Sequence, residues 1–396
     1  MTQAGTLRGM AWDHPRARNP LEAISAEWTK TTGVAVQWEA RPLKDFEDQP
    51  LAELAATYDL VLLDYPFTGT AATSGLIVPV DDWVDAAYLA DQAEHAVGPS
   101  YDSYTWGGKQ WALAIDAAAQ VSAVRPDLLD ASGLEQVPDR WDAVAELARE
   151  LRHSPARIAI PLNPNHAYCA FLSLGLATLG PSFWRKGEQV DRAAALGALE
   201  FLQALAPELH PLSRSADPIA ISDQMADSDE ILFVPLMFGY SNYARPGFRR
   251  RTLCFGNAPR GDSGHIGSVL GGVGIALSDC SRQPEAAADL ARLLAAGETQ
   301  AGVYVRSGGQ PGHGAAWDSL EANRLVDNFF FATRATMNQA FLRPRVAGHR
   351  RFQQDAGLLI HRFLWENELG AGQCLAAFDG LVDRLLGRWE TEHDAN

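Results

Sequence analysis

Apolar residues along the first eighty positions recur with two alternating periods. Residues 6–12 read as a strand, and Asp13-His14-Pro15 reads as a turn. Asn19 followed by Pro20 predicts a helix start, with Asn as the N-cap and Pro at the first helical position. Leu21, Ile24 and Trp28 then recur at helical spacing, and Gly33 ends the helix. Residues 34–39 predict a second strand, and 45–56 a second helix interrupted at Pro50. The nearly all-apolar 58–63 (YDLVLL) predicts a strand buried on both faces, the kind found in parallel sheets covered by helices. The run is β-α-β-α-β, which predicts an α/β fold.

Further along, Trp106-Gly107-Gly108-Lys109-Gln110-Trp111 predicts a hairpin. Residues 112–116 and 119–125 read as two extended segments. A helix begins near Pro138 and Asp139, with Trp141, Val144, Leu147 and Leu151 on one face. Residues 158–162 form a short apolar strand, and 167–179 a helix apolar nearly all round and so buried. Residues 193–205 predict a helix, 230–236 and 253–255 strands, and 268–277 a Gly-rich extended segment. Helices follow at 284–296, 352–364 and 374–386, with a Gly-rich junction at 308–314.

Composition narrows the choice. A chain of 396 residues exceeds the ~250–300 at which single cores stop growing, so two lobes are expected. The 49 acidic and 33 basic side chains leave a net charge of −16, which argues against a nucleic-acid surface. No stretch approaches the ~18–20 apolar residues of a membrane span. Trp12, Asp13 and His14 stand where a secretory apolar segment would run, so no signal peptide is read. The chain is then either a mature form with a new Met or a protein that stays inside. Cys169, Cys254, Cys280 and Cys374 form no CxxC, and reduced, buried thiols are expected, with one disulfide left open.

Catalytic signatures are missing. Gly272-Val273-Gly274 opens like a dinucleotide loop, but Leu277 stands where the third Gly belongs. There is no P-loop, no HExxH and no nucleophile elbow. No cofactor, metal or catalytic residue is assigned. What stands out is the strand exits, where parallel α/β sheets bind ligands. They carry Trp12-Asp13-His14, Asp64-Tyr65-Pro66, Asn163-Pro164-Asn165-His166 and Phe238-Gly239-Tyr240, with Asp116 after another extended segment. Carboxylates and amides bind hydroxyls, and aromatic rings cover the apolar face of a sugar or a cation. Asp13 and Asp64 read equally well as helix caps.

These segments together resemble the extracellular solute-binding proteins of ABC transporters, mainly the sugar-binding kind. The "YDL" strand at 58–60, the 75–81 segment GLIVPVD, the 108–114 hairpin GKQWALA and the 128–141 run with Leu128, Leu129, Gly133, Pro138 and Trp141 carry the resemblance. The Gly-rich 268–277 resembles the strand returning to the first lobe, which would put Gly271 and Gly272 at the ligand. The resemblance implies a two-lobe periplasmic-binding-protein-like fold with a hinge. Lobe one would take 1–115 and 260–310, and lobe two 116–259 and 311–396. It implies a non-catalytic, periplasmic protein that closes on a sugar or polyol and docks on ABC permease subunits, and a monomer is expected. Three alternatives stay open: a cytoplasmic sensor, an enzyme on the same scaffold, and a binder of a cationic amine or thiamine-like solute.

Overall fold

The computed structural model describes residues 5–41, 51–366 and 368–387. Part of the helix expected at 45–56 lies outside the described residues, and Leu51–Thr57 is helical. The strands are β1 (Thr6–Trp12), β2 (Ala35–Arg41), β3 (Leu60–Asp64), β4 (Ile77–Val78), β5 (Thr105–Trp106), β6 (Lys109–Gln110), β7 (Leu113–Val124), β8 (Arg157–Ile158), β9 (Ile231–Phe238), β10 (Cys254–Gly256) and β11 (Leu270–Ser278). β5 and β6 form the expected hairpin. The main sheet runs β2-β1-β3-β11-β7-β9-β8, with β4 on β11 and β10 on β7. β1 pairs in parallel with β2 and β3, as the opening rhythm predicted. β11 returns antiparallel between β3 and β7.

β7 is one strand of twelve residues, not the two segments expected at 112–116 and 119–125. Asp116 read as a strand end and Gln120 falls just inside the second segment, and a polar group inside an apolar run needs a partner. Both have one. Asp116 is bonded by Arg16, and Gln120 Oε1 accepts from Ser173 Oγ at 2.7 Å. β7 pairs with β11 through Ala119 and with β9 from Gln120 onward, so a single strand passes between the two halves of the sheet.

Two hydrophobic cores flank this passage. One gathers β1, β3 and β11 with the helices Pro15–Thr32 and Pro284–Ala295, and extends to Trp317, Phe329 and Phe330. The other gathers the helices Pro164–Leu179, Arg192–Leu205, His349–Glu366 and Ala371–Leu381. Pro164–Leu179 is buried at every residue from His166 to Ala177, as its all-round apolarity predicted. In His349–Glu366 the buried Phe352, Ala356, Ile360 and Phe363 recur every three or four residues, which turns one stripe inward.

The first helix starts at Pro15 and not at Pro20. His14 Nδ1 accepts the Arg16 amide at 3.0 Å and caps the end, and Pro15 fits the first turn because its missing N–H has no helical partner there. Pro20 sits in the second turn, where it forgoes one helical bond without stopping the helix. Cys169 and Cys374 are buried thiols, but Cys254 is half-buried and Cys280 exposed, which corrects the expectation of four buried thiols.

Candidate functional site

A cleft between the two halves encloses about 720 Å³ including its open mouth. Trp12, Asp64, Asp116, Asn165, His166, Phe238, Tyr240, Gly271 and Gly272 line it, all singled out from the sequence. They converge because β1, β3 and β9 end there and β7 and β11 run beneath. The floor needs glycine. Gly272 has φ +136°, and a Cβ on it would stand 2.4 Å from the Asp116 carbonyl oxygen. A Cβ on Gly271 would stand 2.7 Å from the Phe238 ring.

Asp13, His14 and Tyr65 do not line the cleft. Asp13 is exposed and accepts from Arg18 Nη1 at 3.0 Å, so it neither caps the first helix nor faces inward. His14 is the cap, and its ring stands edge-on behind Tyr240 with centroids 5.1 Å apart. Burial, with the nearby Arg16 and Arg249, pushes the His14 pKa down to about 4. Tyr65 is fully buried, and its hydroxyl accepts from Arg343 Nε at 3.0 Å.

Sequence reasoning missed Arg16, Arg343 and Gln353, which also line the cleft. Arg16 Nε and Nη2 bond both oxygens of Asp116, at 2.7 and 2.6 Å, and Nη1 donates to the Gly239 carbonyl at 3.0 Å. Its guanidinium lies 4.6 Å from the Tyr240 ring centre. Burial lifts the Asp116 pKa, and the guanidinium bonded at both oxygens opposes the lift. Arg343 donates to Gln353 Oε1 at 2.7 Å and to the Leu270 carbonyl at 3.2 Å. Gln353 Nε2 in turn donates to Asn165 Oδ1 at 2.6 Å. The series Tyr65–Arg343–Gln353–Asn165 therefore spans the cleft from the end of β3 to the start of the Pro164–Leu179 helix.

Arg16 did carry a readable signal. A cation in the first turn of a helix opposes the macrodipole, so it needs a carboxylate elsewhere. Starting the helix at Pro20 hid this. Arg343 and Gln353 lie outside the strand exits and gave no such signal.

Asp64 ends β3 and makes no capping bond to the turn that follows. Burial raises its pKa to about 6, against the pull of Arg343. His166 is fixed by Asn163, whose Oδ1 lies 2.8 Å from the ring Nδ1 and also accepts the His166 amide at 3.1 Å. Burial holds its pKa down at about 4, so the ring is neutral near pH 7. The cleft thus offers carboxylate, amide, imidazole and guanidinium groups between aromatic rings.

The model of the bacterial extracellular solute-binding protein family matches residues 12–205. A search of curated proteins gives no match. Among solved structures, maltose-bound MalE3 of T. maritima is similar at 16% identity and TM-score 0.82, over 96% of this chain and 99% of that one. An ABC transporter solute-binding protein of Thermotoga lettingae bound with alpha-D-tagatose gives 16% and 0.81, over 97% and 100%. One of Agrobacterium radiobacter in complex with ribitol gives 18% and 0.79, over 96% and 98%. At these identities the likeness is one of fold. The resemblance to extracellular solute-binding proteins read from the sequence is thus borne out, by the family model over residues 12–205 and by a two-lobe α/β fold over nearly the whole chain.

Proposed function

We propose that this protein captures a small neutral sugar or polyol between its lobes and delivers it to the permease of an ABC importer, without chemical turnover. The observation that carries this is the charge balance of the cleft. Asp64 and Asp116 face Arg16 and Arg343, and His166 is neutral, so the lining has no net charge near pH 7. Such a lining offers donors and acceptors to hydroxyls while giving an isolated ionic ligand no counter-charge. Arg16 occupies both oxygens of Asp116, and Arg343 stands near Asp64, which leaves no unbalanced carboxylate for a cationic amine or thiamine-like solute. The tagatose and ribitol named for the similar structures are small neutral polyhydroxy compounds of this kind.

By this proposal the protein works in the periplasm as a monomer. The lobe boundaries near residues 115, 259 and 310 belong to the proposal too, and the change of partners along β7 after Ala119 lies close to the first of them. A thermal-shift screen of neutral sugars and polyols against amines and organic acids tests it. A specific ligand stabilises the fold by about 2.7 kcal/mol at a hundred times its dissociation constant. Stabilisation by a neutral polyol supports the proposal, and stabilisation by charged compounds alone sinks it.

A further inference from the structure

Away from the cleft, a second group of side chains has the geometry of a ligand set. Asp91 and His95 lie one turn apart at the end of the Ala86–Glu94 helix, and His313 comes from the segment paired beside it. Asp91 Oδ1 lies 3.1 Å from His95 Nδ1, and Asp91 Oδ2 lies 3.7 Å from His313 Nε2. The two imidazole rings are nearly parallel, 11° apart, with centroids separated by 5.5 Å. Each residue brings one donor atom within 4.8 Å of the other two.

The decisive atom is His313 Nε2. The His313 side chain is 5% exposed, and Nε2 is buried with no hydrogen-bond partner among the described residues. An orphaned buried nitrogen is costly unless something binds it. Its distance from Asp91 Oδ2 is too long for a hydrogen bond. It is close to the roughly 3.3–3.5 Å that separates two ligands held about 2.0–2.2 Å from one tetrahedral ion. Asp91 and His95 are half exposed, so an ion can reach the group from solvent.

The backbone holds the three residues in place. The Gly314 amide donates to the His95 carbonyl at 2.6 Å, the Val97 amide to the Gly312 carbonyl at 3.1 Å, and the His313 amide to Gln300 Oε1 at 2.9 Å. His313 Nδ1 accepts the Ala315 amide at a long 3.2 Å. Coordination through Nε2 puts the ring proton on Nδ1, and that long bond is given up.

We propose that Asp91, His95 and His313 bind a divalent transition-metal cation of the zinc class. Two imidazoles and one carboxylate suit such an ion and leave a fourth position for water. The oxygen-seeking Mg²⁺ is excluded by the same donor set. A bound ion would clamp the Ala86–Glu94 helix to the 312–314 segment, which adjoins Gln310. Gln310 bonds β7 at Ala117 and the exit of β9 at Gly239.

The test is calorimetric titration of chelator-treated protein with Zn²⁺, and with Mg²⁺ as control. Asp91→Asn and His95→Ala alter exposed side chains, and their melting curves without metal check that both fold. One Zn²⁺ per chain in the wild type, weakened at least about tenfold in both variants, with no heat from Mg²⁺, is the expected result. Zinc binding that survives in either folded variant would put the ion on other surface histidines and overturn the proposal. So would the absence of zinc binding in the wild type.

Discussion

Asp64 combines two demands that pull against each other. Its carboxyl lies at the cleft, and burial raises its pKa from 3.8 to about 6. A raised folded-state value means that the fold holds the proton more tightly than the unfolded chain does. The stability this gives is fully present below about pH 4 and is lost as pH rises through about 6. Asn cannot ionise, so Asp64→Asn is expected to be more stable than wild type at about pH 8, by up to ~3 kcal/mol, and equal to it at about pH 4. Denaturant titrations at the two pH values check this. If Asp64 also bonds the solute, the same variant binds at least about tenfold more weakly, because a charged hydrogen bond is worth roughly 1.5–3 kcal/mol. The Arg16–Asp116 pair behaves differently. Arg16→Met strands a buried carboxylate and is expected to cost about 3–5 kcal/mol, while Arg16→Met with Asp116→Leu costs clearly less. A double-mutant cycle by urea unfolding measures the difference.

At the scale of elements, helix starts decide which side chains reach the cleft. Asn163 caps Pro164–Leu179 and also fixes the His166 ring. Asn163→Ala is expected to lower stability by about 1–2 kcal/mol and to weaken solute binding, while Asn163→Asp retains most of the stability. Thermal melts and titrations of the two variants distinguish capping from a general packing defect. The strands were legible in the sequence because β1, β3 and β9 are apolar runs closed by turn residues. Helix starts were less legible, because two prolines near the first helix both fit a first turn. Choosing Pro20 over Pro15 hid both the cap at His14 and the inward-facing Arg16. The continuity of β7 was illegible for a related reason, since Asp116 and Gln120 find partners 100 and 53 residues away in sequence.

For the molecule as a whole, chain length pointed to two lobes and the resemblance supplied the hinge and the cleft between them, and periodicity alone did not. Most of the candidate lining was legible because ligand positions gather at strand exits. Arg343 and Gln353 were not, because the packing of the His349–Glu366 helix against Pro164–Leu179 brings in Gln353, and the pairing of Phe341 beside the start of β11 brings in Arg343. If the solute bridges the lobes, small-angle scattering with saturating ligand should give a smaller radius of gyration than the free protein. Unchanged dimensions with a bound solute would mean that the lobes do not move. The central claim is that a neutral polyhydroxy solute occupies the cleft. Calorimetric titration with neutral sugars and polyols, beside wild type and Asp64→Asn, tests it most directly. One solute per chain, bound by wild type and weakened at least about tenfold by Asp64→Asn, is the predicted result. Saturable binding of charged solutes only, or a neutral solute whose affinity Asp64→Asn leaves unchanged, would contradict it.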